Sequence, residues 1–299
     1  GVVHTITDYK DKKEKDLKVE DLDKHLDVDK LFKIYDEKQK ENKTVLVVTP
    51  TRAEKNQLTS MIRTRLSHEL GEESIKKEVL GSMFYTKAEK ASPDHYITQG
   101  DGQAHLVFFK DTQEFKANET WKVTGRSGDR LELENIETSE KRSFSPQLAN
   151  PAAFDVAEKK EIELRAGDKI VLQKNINEYG FVNGDTHKVQ EIKNGEIILS
   201  DNKKLEKDVK HLDYGYVSTS YASQGKTVDH VIVAISDFSG MALNQKQLYV
   251  STSRGKEGID IFVQTEEVIK GAIEKMGDRE ATLELVGQKK EDLKLAELK

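Results

Sequence analysis

The sequence predicts an α/β protein in which a parallel-sheet domain is interrupted by a β-rich insertion. Three observations predict it. "TVLVV", Thr44 to Val48, is a short continuous β-branched run, the texture of a strand covered on both faces, and a polar turn and a helix-period run follow it. From about Tyr96 to Asp213 the texture changes to short alternating runs punctuated by glycine turn pairs. After Asp213 the α/β texture returns. The expected organisation is residues 1–95 and 214–299 as the two parts of the sheet domain, with 96–213 inserted between them.

Each element has its own reason. "DKHLDVDKLFKIYDEKQKENK" places Leu26, Leu31, Ile34 and Tyr35 near helical spacing and predicts an amphipathic helix. Thr51 can cap the next helix with Glu54 as its capping-box partner. Leu58, Ile62 and Leu66 recur on one face of that helix, and Gly71 is expected to end it. In the insertion, Ser127-Gly128, Asn183-Gly184 and Asn194-Gly195 read as turns. Two stretches look alike, "KANETWKVTGRSGDRLELEN" and "FVNGDTHKVQEIKNGEIILSD". Each runs turn, Lys-Val strand, glycine hairpin, alternating strand, which predicts two related barrels of SH3-like size. Further on, 215–219, 228–235 and 259–264 read as strands, and 242–253 and 266–276 as helices.

Composition narrows the class. The 299 residues are 35% hydrophobic and 34% charged, which predicts a soluble chain with a core. No apolar run approaches eighteen residues, so no membrane insertion is expected. With no cysteine, disulfides and thiolate metal sites are excluded, and a cytoplasmic location is expected. The formal net charge of −6 leaves any nucleic-acid contact to local patches. The eight histidines show neither H-x-x-x-H nor H-E-x-x-H, so no metal site is expected. The opening "GVVHTITDYKDKKEKDLK" lacks Met and turns charged at once, so no signal peptide is expected in it, and Gly1 reads as a cut end or a tag remnant.

"SYASQGKTVDHVIVAI", Ser220 to Ile235, ends its turn on Gly-Lys-Thr, as a phosphate-binding loop does. The spacing argues against one: the early glycine of G-x-x-x-x-G-K-[ST] would fall on Ser220, where a side chain hinders the backbone from wrapping a phosphate. The order is reversed too, since the long apolar run follows Lys226. The plain alternative is a polar turn between strands.

The residues also carry a resemblance. "VSTSYASQGKTVDHVIV" resembles motif V of superfamily 1 helicases, T-x-H-x-S-Q-G-x-[TE]-x-[DE]-x-V, and "LYVSTSRGKEGIDIFVQ" resembles their motif VI. "RAGDKIVLQKNINEYGFVNGDTHKV" is similar to the stretch before motif V in RecD-like helicases, and "VTPTRAEKNQLTSMIRTRL" to the first strand and helix of their second RecA-like domain. The upstream β segment and the closing "REATLELVG" look most like the helicase part of TraI-type conjugative relaxases. The resemblance implies a RecA-like sheet domain with an SH3-like barrel insertion. It also implies the C-terminal half of an ATP-dependent single-strand DNA translocase, whose Walker motifs lie in an N-terminal RecA-like partner domain. "VIVAISDF" imitates a Walker B strand, but Ser236-Asp237 stands where the acidic pair would be.

The resemblance assigns roles. Arg254 would be the arginine finger stabilising charge on a transferred phosphoryl group. Gln224, Gly225 and Thr227 would couple nucleotide state to the strand. Thr219, Ser220 and Tyr221 would touch DNA, with Lys174 and Asn183 adding contacts from the insertion. The family often has His at Tyr221 and Lys at Ala222, so charge is missing from this contact; Tyr221 stacks on a base or packs in the core. Trp121, Phe108 and Phe109 are open to the same two readings, and Arg63 and Arg65 to nucleotide, strand or solvent. ATP and Mg2+ are expected with the full-length parent and no cofactor on this chain alone. Partners are single-stranded DNA, the N-terminal RecA-like domain and a type IV secretion coupling protein. The rival class is a non-catalytic DNA-binding or secretion-recognition module derived from a helicase; the intact Gln224-Gly225 and Arg254 favour the motor.

Overall fold

A computed structural model describes residues 1–5, 19–83, 85–96, 104–237 and 243–274. The chain divides into two compact units, Gly1–Leu66 with Tyr216–Lys299, and Ser67–Gly215.

The first unit is built on five parallel strands: β1 (Val2–His4), β2 (Val45–Thr49), β14 (Val217–Thr219), β15 (Val228–Ile235) and β16 (Gly255–Val263), in the order β1-β16-β15-β2-β14. The predicted sheet is therefore present, with the short N-terminal β1 as an unanticipated fifth strand. β2 is buried at every position because helices cover both faces. Leu46, Val48, Val231, Val233 and Ile235 share a core with Leu248 of α4 (Gln245–Thr252) and Ala272 of α5 (Glu266–Glu274). Val47, Ile232 and Ala234 alternate to the other face, which α1 (Val28–Lys40) and α2 (Arg52–Arg65) cover with Leu31, Tyr35, Leu58 and Ile62.

Helix α1 starts at Asp27, whose side chain accepts from the Lys30 amide; Val28 joins Leu31 and Tyr35 in the core, and Ile34 is half-buried. The Thr51–Glu54 capping box forms as expected. Gly71 does not end α2. The helix stops at Arg65, a 3-10 turn follows over Ser67–Glu69, and the Gly71 amide donates to the Ala166 carbonyl (2.8 Å) inside the second unit.

The second unit starts at Ser67 rather than near residue 96, because β3 (Ser74–Ser82) pairs along its whole length with β8 (Phe154–Arg165). Apart from the short α3 (Lys87–Ala91) and 3-10 turns it is β-structure. Its six-stranded antiparallel sheet runs β3-β8-β4-β5-β6-β7, with β4 (Ala104–Phe108), β5 (Thr120–Ser127), β6 (Arg130–Asn135) and β7 (Lys141–Phe144). The five-stranded sheet runs β12-β11-β10-β9-β13, with β9 (Lys169–Leu172), β10 (Thr186–Lys193), β11 (Glu196–Leu199), β12 (Lys204–Leu205) and β13 (Leu212–Tyr214). Two cores result: an aromatic one around Phe108, Phe115, Trp121, Phe144 and Phe154, and an aliphatic one around Ile170, Leu172, Val189, Leu199 and Leu212. β8 serves both, with Phe154 and Val156 in the first and Ile162 and Leu164 in the second.

The two look-alike stretches occupy matching places, the hairpins β5–β6 and β10–β11. Each has a two-residue turn, Gly128-Asp129 and Asn194-Gly195, and each slips register midway along its first strand. Asn194 and Gly195 both have positive φ (52° and 77°), as an Asn-Gly hairpin turn requires. "REATLELVG" lies outside the described residues. Among the described residues, no helix is long and apolar enough to cross a membrane.

Candidate functional site

β14 ends at Thr219, and the chain makes one tight helical turn before β15. The Ser223 amide donates to the Thr219 carbonyl (2.9 Å), Gln224 to Tyr221 (3.2 Å) and Lys226 to Ser223 (3.1 Å). Gly225 closes the turn at φ +80°, a conformation that suits glycine. Thr219, Ser220 and Ser223 are buried and satisfied within the unit. Thr219 Oγ1 accepts from the Ala222 amide (3.2 Å), the Ser220 amide donates to the Thr49 carbonyl (2.9 Å), and Ser223 Oγ donates to the Ser220 carbonyl (2.7 Å). Ser251 Oγ of α4 lies 2.9 Å from Ser220 Oγ. The hydroxyls of Thr219 and Ser220 thus hold the turn, while Tyr221 stands 71% exposed on it, with Gln224 and Thr227 also exposed.

Arg254 sits where α4 gives way to β16. Its Nε donates to the Val250 carbonyl (2.8 Å), Nη2 to Ser253 Oγ (2.9 Å) and Nη1 to the Lys226 carbonyl (3.4 Å), and its own carbonyl accepts from the Val228 amide (3.0 Å). The structure therefore joins Arg254 directly to the Gln224–Thr227 turn. Three of about five guanidinium donors are used, leaving about two for another acceptor. Burial, with Lys55 nearby, holds the Lys226 ammonium below the usual lysine range.

Other expected residues lie elsewhere. Lys174 and Asn183 belong to the second unit. Lys174 is buried, its ammonium donates to the Asn118 carbonyl (3.0 Å), and burial lowers its pKa. Asn183 is exposed, its amide bonded to Asn175 Oδ1 (2.7 Å). Trp121 and Phe108 are core residues; Phe109 is 38% exposed. Arg65 pairs with Asp29, its Nε at 3.0 Å.

Two polar constellations contain pairings that sequence reasoning missed, Glu54 with Ser236 and Asp260 with His4 and His230. Glu54, buried, accepts from Thr51 Oγ1 (2.8 Å) on one oxygen and from the Ser236 amide (3.0 Å) and hydroxyl on the other, so Ser236 completes a helix cap rather than a metal site. Asp260 accepts from His4 Nε2 (2.6 Å) and His230 Nε2 (2.7 Å), joining three neighbouring strands. Gly258 makes room for this: a Cβ there would lie 2.4 Å from His230 Nδ1. Only the residue types were visible in sequence; the strand register that unites them was not. Among the described residues no group of three His, Cys, Asp or Glu side chains is placed to hold a metal ion.

No protein-family model matches the chain. A conjugal transfer protein TraA of Agrobacterium fabrum (strain C58) is similar, at 31% identity over 110 residues, 34% of this chain and 10% of the relative. Similar solved structures include the Pif1 helicase from Bacteroides in complex with ADP-AlF3 and ssDNA (13% identity, 83% of this chain, 45% of that one, TM-score 0.28). A second is the Pif1 helicase from Candida albicans (13% identity, 76% and 48%, TM-score 0.24). The chain thus spans one tenth of the curated relative and less than half of each solved structure.

Proposed function

We propose that the first unit is the second RecA-like half of an ATP-driven single-strand DNA translocase of the conjugative relaxase kind. The observation that carries this is the tie between Arg254 and the Gln224–Thr227 turn, through the Lys226 carbonyl on one side and the Val228 amide on the other. Two segments that resemble separate helicase motifs form one structural joint, and that joint continues into exposed Tyr221. In this reading Arg254 offers its spare donors to ATP held with Mg2+ by an N-terminal RecA-like domain outside this chain. Gln224, Gly225 and Thr227 pass the nucleotide state along the turn. Tyr221 stacks on a base, and Thr219 and Ser220 keep its loop in place.

The second unit is read as two small SH3-like barrels, one around each of its cores, with Asn183 as an exposed strand contact. Lys174 contributes through its bond to Asn118 rather than by touching a phosphate. The similarity to a conjugal transfer protein supports a role in conjugation; a cytoplasmic location and a type IV secretion coupling protein as partner belong to the same proposal.

The test is a steady-state ATPase assay on the full-length parent. Arg254→Ala is expected to leave nucleotide binding in place and cut turnover by about 10³-fold or more. Arg254→Lys should restore little, since an ammonium lacks the planar fork. The isolated chain is expected to hydrolyse no ATP and to bind single strands with micromolar or weaker, salt-sensitive affinity, on the order of non-specific binding. Equal rates for parent and Arg254→Ala would leave a non-catalytic DNA-binding or secretion-recognition module as the better reading.

A further inference from the structure

We propose that the second unit carries a binding cleft for a phosphate-bearing nucleotide, free or as one link of a single strand, on the face of its six-stranded sheet turned away from the aromatic core. The cleft lies wholly within that unit and does not rest on the ATPase reading.

Strand alternation builds it. Leu106, Trp121, Val123 and Leu133 point into the aromatic core, so their neighbours His105, Lys122 and Glu134 point the other way. Register sets these three side by side, His105 opposite Lys122 and Lys122 opposite Glu134. On the same face Leu80, Val107 and Ala157 are buried together as a small apolar patch. Around Leu80 and this polar row lies a cleft of about 480 Å³, within the size range of small-ligand sites.

Its charge favours an anion. Lys122, Lys159 and Lys210 line it, against Glu78 and Glu134, an excess of one positive charge (three lysines minus two glutamates). Glu78 is already engaged by Lys159 (2.5 Å) and Lys210 (3.4 Å). Lys122 is exposed and makes no ion pair among the described residues. His211, its Nε2 3.4 Å from Thr120 Oγ1, is pushed down to about 3 by burial first and then by Lys174, His105 and Lys210. A phosphate beside Lys122 would meet an exposed ammonium that no carboxylate pairs among the described residues.

The rim suits a base. Ile136 is 41% exposed at the cleft, an apolar surface for a ring face. Asn135 Oδ1 accepts from the Glu137 (2.9 Å) and Thr138 (3.0 Å) amides, which fixes the backbone of this lip. Ser139 adds a hydroxyl on the same lip.

Titration calorimetry of the whole chain at low salt, with dTMP and with a dT 12-mer as probes, tests this. Saturable binding is expected, weakened about tenfold or more by Lys122→Glu and by Ile136→Asp, substitutions at exposed positions, with Lys122→Gln as a milder second variant. For the 12-mer, Lys122→Gln should also reduce the log–log salt slope by about one. An effect confined to dTMP identifies the occupant as a free nucleotide, and one confined to the 12-mer as a strand; either supports the site. No binding of either probe, or binding that all three variants leave unchanged while Trp121 fluorescence reports a folded unit, would overturn it.

Discussion

Leu46 and Val47 are adjacent in β2 and both are buried, on opposite faces of the parallel sheet. Lys122 and Val123 are adjacent in β5, and only the valine is buried. The first sheet lies between two layers of helices, so its strands have no side free for polar groups. Polar side chains enter it only at strand ends or as satisfied sets, such as Glu54 with Ser236 or Asp260 with His4 and His230. The second unit lines its aromatic core with one face of a sheet, while the other face carries charged side chains beside a small apolar patch of Leu80, Val107 and Ala157. Chemistry in the first unit is therefore confined to turns such as Ser220–Thr227, whereas in the second a strand face is available for binding.

The comparison breaks most sharply at the aromatic core. Phe115 stacks on Phe108 (centroids 4.4 Å) and meets Trp121 edge-on (5.2 Å). Phe115→Ala should cost about 3–5 kcal/mol, the range for emptying a buried aromatic site. Trp121 is the only tryptophan, so its emission follows the second unit alone. Denaturant unfolding should show the emission transition moved to lower denaturant and the helical signal at 222 nm unmoved. Coincident shifts would mean that the two units unfold as one.

The next effect is on pH. His211 titrates near 3 in the folded unit and near 6.5 when unfolded, so between these values the unfolded chain binds more protons. Stability contributed by neutral His211 is complete above about pH 6.5 and is lost as pH falls toward 3, by up to about 1.4 kcal/mol per pH unit. Trp121 emission midpoints measured from pH 7 to 4 should fall, and His211→Gln should flatten the fall. An equal slope in the variant would assign the acid sensitivity to other groups.

What was legible in the sequence follows the same division. The parallel strands were readable because burial on both faces writes a continuous apolar run, and the Thr51–Glu54 box because its two members are three residues apart. β1 was not, since three residues carry no period. The hairpins were visible through Asn-Gly and Ser-Gly, but alternation alone could not say which face of β5 was core, so Trp121 stayed open between stacking and packing. At the candidate site, Arg254 and the Gln224–Thr227 turn were marked by the resemblance of their two segments to helicase motifs, not by residue type or spacing alone. The burial of Thr219 and Ser220 depends on Thr49 and Ser251, brought together only by the fold. Lys174 read as a surface cation because nothing local announces that Asn118 will cover it.

Glu54 offers a smaller test, in the first unit. Replacing it by Ala removes the capping-box partner of Thr51 and leaves the buried Ser236 amide and hydroxyl without their acceptor. The expected loss is about 1–3 kcal/mol, read at 222 nm. If the loss appeared only in Trp121 emission, the carboxylate would be supporting the wrong unit for this account.

The smallest effect should be the same in both units. Gly225 in the first (φ +80°) and Gly195 in the second (φ +77°) have left-handed backbones, and a Cβ built on either meets nothing within 4 Å. Alanine at either position therefore faces a backbone cost without a clash, about 1 kcal/mol. Asn194, beside Gly195, already adopts φ 52°, which shows that this hairpin accepts a side chain in the left-handed region. Gly225→Ala read at 222 nm and Gly195→Ala read by Trp121 emission should thus give matching losses, although one turn joins parallel strands and the other closes a hairpin. A loss at Gly225 several times larger would mean that the turn is held by more than its local backbone. The hydrogen bond from Arg254 to the Lys226 carbonyl is the contact to suspect, and adding Arg254→Ala to Gly225→Ala should then cost less than the two separate losses combined.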